Sequence, residues 1–93
     1  VGGHTHGMQI VRVWTRDGWL VLASDAVHMY ANMEQQNPYP AAYNVFDMLE
    51  GAKTAVNLAG GNAAKVIPGH DPLKRERFSA PTSKLDGVVL RLD

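Results

Sequence analysis

The sequence contains no cysteine. This absence excludes disulfides, thiolate metal sites and cysteine nucleophiles, so any metal ion must be held by nitrogen and oxygen ligands. Long apolar runs are absent too, since none approaches the roughly 20 residues that cross a bilayer. The first residues show no basic stretch followed by an apolar one, as a secretory signal would. We therefore expect a soluble, cytoplasmic protein without a membrane partner.

An excess of charge of either sign is also lacking. Lys and Arg together number 9, and Asp and Glu together number 9. No basic surface would gather phosphates, so nucleic acid is not an expected partner.

A chain of 93 residues can build one modest core but not two. Because it begins Val1-Gly2-Gly3, without Met and in a loop-like stretch, we expect residues 1–93 to be a domain, or part of one, cut from a longer chain.

Two runs near the N-terminus predict a β-hairpin. Residues 8–14 (MQIVRVW) alternate, residues 15–18 (TRDG) supply a turn with glycine, and residues 19–23 (WLVLA) are apolar throughout. Because the second run lacks polar alternation, we expect it to be buried on both faces of a sheet. It ends at Asp25, which places a carboxylate at the C-terminal end of a strand.

One strong helix is predicted in the middle of the chain. Apolar residues recur at helical spacing from Val45 to Ala59, Asn44 is a suitable N-cap, and two glycines at 60–61 end the pattern. Before it, residues 26–33 are compatible with a short helix or an ordered loop.

The last third of the chain predicts two more strands. Residues 65–67 (KVI) form a short apolar strand that leads into His70, residues 72–84 are polar, and residues 88–92 (VVLRL) follow an Asp-Gly turn. This order predicts an α/β fold with a mixed sheet and one main helix, in which strand ends collect functional residues. One helix covers only one face of a sheet, so we expect a second layer from elsewhere.

Three side chains are candidate metal ligands, and each also has an ordinary structural explanation. His4, two residues before His6, could bind a metal ion or belong to a flexible, solvated segment. Asp25 could be a ligand or could cap a turn or helix. His70 could be a loop histidine, while Asp71 beside it could orient an imidazole or cap a turn.

Taken together, three segments resemble the later metal-binding motifs of the metallo-β-lactamase superfamily. They are residues 3–8 (GHTHGM), 22–26 (LASDA) and 67–72 (IPGHDP). More narrowly, they and residues 30–34 (YANME) resemble the N-acyl homoserine lactonase branch. The resemblance covers nearly the whole chain and implies the C-terminal half of an αββα sandwich.

The resemblance implies a role for each candidate. His4 would bind one metal ion and His70 the other, while Asp25 would bridge them; His6 falls on a variable position. Two divalent metal ions are implied, with zinc best suited to nitrogen and oxygen ligands and iron, manganese or cobalt as alternatives. The implied reaction is opening of a lactone ring by a hydroxide that bridges the two metals.

The sequence departs from the family pattern at two places. A tyrosine that commonly follows the bridging aspartate by three positions is here His28, which could act as a hydrogen-bond donor or general acid, with Tyr30 as the alternative. Either side chain could equally be ordinary packing. The family's H-x-H-x-D-H motif is absent from residues 1–93 and would lie upstream.

The expected function is therefore metal-dependent hydrolysis of N-acyl homoserine lactones or similar lactones. The alternatives are another ester, thioester or β-lactam hydrolase of the same fold, or a non-catalytic half-domain that pairs with a partner chain. Expected partners are the lactone or ester substrate and the N-terminal half, in the same or another chain; a homodimer is also compatible. Four residues could line a groove for an acyl chain or simply belong to the core: Met29, Tyr30, Met33 and Tyr39.

Overall fold

The computed structural model describes residues 1–93. It contains three β-strands, three α-helices and two short 3₁₀ segments, at residues 63–65 and 83–85. The elements are β1 (Val11–Thr15), β2 (Gly18–Ser24), α1 (Tyr30–Glu34), α2 (Val45–Leu58), β3 (Val66–Pro68) and α3 (Lys74–Arg77).

The three strands form one mixed sheet in the order β1-β2-β3, with β1 antiparallel and β3 parallel to the central strand. Together with α2 as the main helix, this confirms the predicted α/β class. Parallel neighbours require a crossover connection, and here α1 and α2 lie in it. The C-terminal ends of β2 and β3 consequently meet at the same edge of the sheet.

The predicted hairpin is confirmed, with Thr15 opposite Gly18 across a two-residue loop. Gly18 has φ 102°, a conformation that glycine adopts without steric cost. Trp14 and Trp19 pack edge to face with ring centroids 4.9 Å apart. The guanidinium of Arg12 lies 3.6 Å from the centroid of the Trp19 ring, which adds a cation–π contact to the hairpin.

Helix α2 begins and ends as its sequence predicts. The side chain of Asn44 accepts a hydrogen bond from the backbone N–H of Asp47 at 3.0 Å, which satisfies a free donor of the first turn. The helix ends before Gly60 and Gly61, which have φ 72° and 81°.

A small core lies between α2 and one face of the sheet. It consists of Val21, Ala23, Val27, Ala52, Ala55, Ala59 and Val66. Many of these side chains are alanines, so the helix can approach the sheet closely. Removal of these apolar side chains from water is the main favourable contribution to the free energy of folding.

The opposite face of the sheet is partly open. Val11 lies opposite Leu22 on this face, and their side chains are 55% and 36% exposed. The prediction that the second strand is buried on both faces is therefore wrong at Leu22, although it holds at Leu20 and Val21. Side chains alternate between the faces of a strand, and α2 packs only on the face that carries Val21.

The predicted final strand at residues 88–92 is also wrong. These residues have no regular secondary structure, and Val88 is 78% exposed. The backbone N–H groups of Val88 and Val89 both donate to the carbonyl of Leu85, and that of Arg91 donates to Ser79. Local turn bonds thus replace the ladder that an added strand would form.

No helix in the structure has the length and apolar character needed to cross a membrane.

Candidate metal centre

The candidate site lies where the parallel strands β2 and β3 end. Asp25 follows β2 directly, and His70 lies two residues beyond β3. Backbone bonds hold these two ends together, since the N–H of Gly69 donates to the carbonyls of Ser24 and Val27 at 3.1 and 2.9 Å. The sheet register therefore brings Asp25 and His70 to the same place.

Gly69 makes this close approach possible. A Cβ atom at this position would lie 2.7 Å from the carbonyl oxygen of Ser24 and 2.8 Å from its carbonyl carbon. Real Cβ atoms do not approach backbone so closely, and a carbonyl group in a strand end cannot move aside as a flexible side chain can. The glycine in the Pro-Gly-His segment is therefore required by packing.

His4 reaches the site from the N-terminal loop. This loop is held against the start of α2, because Asn44 N–H donates to the carbonyl of Gly3 at 2.9 Å and Tyr43 N–H donates to that of His4 at 3.3 Å. The Nδ1 of His4 lies 3.2 Å from the carbonyl oxygen of Ala41. A proton on Nδ1 can be donated to this carbonyl, which leaves Nε2 as the free nitrogen, as metal-binding histidines require.

His28 is at the centre of the histidine cluster and is only 5% exposed. Its ring centroid lies 4.9 Å from that of His4 and 5.3 Å from that of His70. Tyr39 stacks on its ring at 3.9 Å with an interplanar angle of 7°. Its Nε2 lies 3.4 Å from Oδ1 of Asp25, while its Nδ1 is buried without a hydrogen-bond partner.

The carboxylate of Asp25 is shared among its neighbours. Oδ1 lies 2.6 Å from Nε2 of His70, and Oδ2 accepts a hydrogen bond from the Ser24 hydroxyl at 3.1 Å. The hydrogen bond from His70 lowers the pKa of Asp25 most, partly opposed by burial, with Ser24 adding to the lowering. Asp25 is therefore an anion at neutral pH.

Burial lowers the pKa of His28, and the charge of Asp25 opposes this only in part. The two neighbouring imidazoles add to the lowering. His28 is thus kept neutral at pH 7. A neutral imidazole and an ionised carboxylate are the protonation states that bind metal ions.

The structure brings all three predicted metal ligands to this region, but it groups them differently. Donor atoms of His4, Asp25 and His28 all lie within 4.8 Å of one another. His70 is outside this group and contacts the cluster through Asp25. The sequence suggests His28 as a hydrogen-bond donor, a general acid or a packing residue, and not as a metal ligand; its position three residues after Asp25 is the signal that the two side chains can meet.

Tyr30, the alternative proton donor, lies in the core. Its side chain is 1% exposed, its hydroxyl has no hydrogen-bond partner, and the guanidinium of Arg77 lies 3.6 Å from the ring centroid. Burial is the main cause of its raised pKa. A hydroxyl enclosed in this way is less accessible to a substrate than the imidazole of His28.

Asp71 has a structural role. Its buried carboxylate accepts hydrogen bonds from the backbone N–H of Tyr30 through Oδ2 and from that of Leu73 through Oδ1, both at 2.9 Å. Of the two roles considered from sequence, capping a turn is the one that the structure shows. The bond from Tyr30 also joins α1 to the loop that carries His70.

The residues considered for an acyl-chain groove are dispersed. Tyr30 is in the core, Tyr39 stacks on His28, and Met33 lines a cavity of about 370 Å³ between α1 and α2. A larger cavity, of about 1020 Å³, opens beside His70 and is lined by residues 69–72, 74–80 and 86–90. His6 points elsewhere, with its ring centroid 4.3 Å from that of Tyr43.

Two contributors to the site are not evident from sequence. Tyr39, which the sequence suggests only as a groove or core residue, stacks on His28, and the carbonyl of Ala41 orients His4. Comparison with known proteins adds no relative, since no family model and no curated protein matches this chain.

Proposed function

We propose that this chain is part of a metal-dependent hydrolase that opens N-acyl homoserine lactones or similar lactones. In this proposal it supplies the C-terminal half of a metallo-β-lactamase αββα domain. The observation that carries the proposal is the convergence of His4, Asp25 and His70 at one edge of the sheet. The resemblance predicts these three residues as metal ligands. The first and the last of them are 66 positions apart in the chain, from position 4 to position 70.

The side chains fit a divalent metal ion by their chemistry. They offer imidazole nitrogen and carboxylate oxygen without thiolate, which suits zinc and also iron, manganese or cobalt. The contact between His4 Nδ1 and the Ala41 carbonyl is typical of the way a protein orients a metal-binding imidazole. When bound, such ions lower the pKa of a coordinated water and polarise a substrate carbonyl.

The remaining residues would act on the substrate. His28 replaces the tyrosine of the lactonase pattern, and its Nε2 beside Asp25 could donate a hydrogen bond to the leaving alkoxide. Tyr39 fixes the orientation of this ring by stacking. The cavity of about 1020 Å³ offers space for a substrate of moderate size, and His70 is the candidate ligand that lines it.

A complete dinuclear site would need further ligands. The chain has 4 histidines and no H-x-H-x-D-H segment, so the proposal requires this segment from another chain or another part of the same protein. The exposed apolar side chains of Val11, Val13 and Leu22 on the open sheet face would suit the second layer of the sandwich. This face also favours the second candidate function, a non-catalytic half-domain that pairs with a partner chain.

Lactone-opening assays test the hydrolase. The metal-free chain is supplied with Zn²⁺, Mn²⁺ or Co²⁺ and incubated with N-acyl homoserine lactones of short and long acyl chain, and ring opening is measured by acid release. The same assay is run with any chain that copurifies. A thioester and a β-lactam in parallel distinguish the related hydrolases.

In a preparation that contains the H-x-H-x-D-H half, the proposal predicts metal-dependent ring opening that a chelator abolishes and that Asp25→Asn reduces by at least about 100-fold, as expected for loss of a metal-bound group. Free metal ion at the same concentration is the blank. Metal uptake without turnover of any substrate in that preparation would contradict the hydrolase and favour the non-catalytic half-domain.

A further inference from the structure

We propose that His4, Asp25 and His28 form a complete binding site for one divalent transition-metal ion within this chain. In this site His70 holds the Asp25 carboxylate from outside the coordination shell. The inference concerns binding by the chain alone, so it does not rest on the proposed hydrolysis. It also gives His28 a different role from the hydrogen-bond donor of the dinuclear site.

The donor atoms are already close to the required spacing. Ligands bound to one zinc ion at about 2.0–2.2 Å in tetrahedral geometry are about 3.4 Å apart. The donor atoms of His4, Asp25 and His28 lie within 4.8 Å of one another, and the distance from His28 Nε2 to Asp25 Oδ1 is 3.4 Å. Small side-chain rotations would close the remaining gap.

The three ligands are also positioned by the fold. Asp25 and His28 lie in a single turn after β2, which is bonded to the neighbouring loop through Gly69 N–H to the Val27 carbonyl and His70 N–H to the His28 carbonyl, both at 2.9 Å. The bond to the Ala41 carbonyl orients His4. A site with ligands held in place before the ion arrives loses less conformational entropy on binding.

His70 differs from His28 in ways that favour an outer position. The side chain of His70 is 59% exposed, whereas that of His28 is 7% exposed. His70 Nε2 is already 2.6 Å from Asp25 Oδ1, a short contact typical of a charge-assisted hydrogen bond. Such a bond to a metal-binding carboxylate is a common outer-shell interaction, and it orients the ligand.

Two histidines and one carboxylate leave open coordination positions. Catalytic zinc sites and non-haem iron(II) sites both use three protein ligands of this kind, with water or substrate in the remaining positions. The ion is therefore expected to be exchangeable and to retain at least one water ligand. Because Zn²⁺ is d¹⁰ and has no d–d absorption, Co²⁺, which accepts the same nitrogen and oxygen ligands, is a suitable spectroscopic substitute.

The test is metal binding to the metal-free 93-residue chain. Zn²⁺ stoichiometry is measured by elemental analysis after dialysis, and Co²⁺ is titrated while its visible d–d absorption is recorded. We expect one ion per chain. His28→Ala should weaken binding by at least about 100-fold, and His70→Gln by only about 10-fold, the lower end of the range for outer-shell partners. His6→Ala, outside the cluster, is the matched control and should bind as the unchanged chain does.

His28 is buried, so His28→Ala could fail to fold. His28→Phe keeps an aromatic ring against Tyr39 but replaces the imidazole with a larger ring that has no nitrogens. Circular dichroism establishes that each variant is folded. The inference is overturned if folded His28→Phe binds Co²⁺ with the unchanged affinity and spectrum, if His70→Gln loses binding while His28→Phe keeps it, or if the chain binds no ion. Binding of one ion by the 93-residue chain, without lactone opening in a preparation that contains the H-x-H-x-D-H half, would contradict the proposed hydrolase and leave this inference standing.

Discussion

His70 and Asp25 are 45 positions apart in the chain, yet Nε2 of one lies 2.6 Å from Oδ1 of the other. The contact exists because β2 and β3 are parallel neighbours, with Leu22 in register with Ile67. A side chain just beyond the end of one strand therefore meets a side chain just beyond the end of the other.

Replacing Asp25 by Asn keeps the shape of the side chain and removes its negative charge. Asp25 contacts both His28 and His70. Loss of a residue that only supports a ligand lowers metal affinity by up to about 100-fold. We therefore expect loss of the Asp25 charge, on a ligand itself, to lower the affinity for Zn²⁺ by at least about 100-fold. Isothermal titration calorimetry measures the affinity for Zn²⁺. Asp17→Asn, the same change in the exposed hairpin loop, is the control. Unchanged metal content in Asp25→Asn would refute the role of the carboxylate.

The two N-terminal histidines should behave differently. His4→Ala removes a ring whose centroid lies 4.9 Å from that of His28. His6→Ala removes a ring that packs on Tyr43 instead. We expect His4→Ala to lose most of the bound metal, and His6→Ala to retain it, in elemental analysis after dialysis. Equal loss in the two variants would mean that the wrong histidine has been assigned.

Gly69→Ala should destabilise the protein by forcing β2 and β3 apart. The added Cβ would lie 2.7 Å from the Ser24 carbonyl oxygen, and overpacking of this kind costs about 1–3 kcal/mol. The free energy of unfolding from urea titration measures the effect. Gly7→Ala is the control, because a Cβ there meets nothing within 4 Å. Equal stabilities for the two variants would show that the strand ends have room to separate.

Asp71→Ala should also lower the free energy of unfolding. It leaves the buried backbone N–H of Tyr30 without an acceptor, and an unsatisfied buried donor costs about 1–3 kcal/mol. Asp86→Ala, at an exposed aspartate, is expected to stay within about 0.5 kcal/mol. Urea titration of both variants decides the matter. A loss no larger than that of the control would mean that water reaches the Tyr30 amide.

The metal-free protein should lose stability as the pH falls below about 6.5. Burial holds the pKa of His28 below its ordinary value of 6.5, so protonation favours the unfolded chain. The contribution of His28 is complete above pH 6.5 and is lost as the pH falls through the folded-state pKa. The pKa of Asp25 is likewise lowered, from 3.8, and its contribution is lost at more acidic pH.

Proton NMR of the imidazole rings measures the pKa of His28 directly, and urea titrations from pH 2 to pH 8 measure the free energy of unfolding. His28→Phe is the control, because it should flatten the dependence between pH 5 and pH 6.5 while leaving the acid limb due to Asp25. An NMR pKa for His28 at or above 6.5 would contradict the prediction.

Local sequence patterns determined much of the secondary structure. The alternation in residues 8–14 and the turn residues before Trp19 predict the hairpin, although β1 begins only at Val11. The periodicity of α2, the Asn44 cap and the two glycines after it define that helix. These features depend on neighbouring residues along the chain, and short-range sterics and hydrogen bonds settle them.

Residues 88–92 show where such reasoning ends. Their β-branched and apolar character favours a strand, but a strand also needs a partner edge. Here the turn bonds to Leu85 and the bond from Arg91 to Ser79 form instead. The open sheet face is a similar case. An apolar run indicates that burial would be favourable, whereas the position of α2 decides which face is covered.

For the candidate site, the sequence by itself identified His4, Asp25 and His70 as the candidate ligands, and it placed Asp25 and His70 just beyond strand ends. Only the tertiary structure decided that His28 is buried between His4 and His70, that Tyr39 stacks on it and that Asp71 caps a turn. The physical reason is that coordination depends on distances of a few ångströms between side chains from separate segments. Strand register and loop packing set those distances, and neither is encoded in any one stretch of the chain.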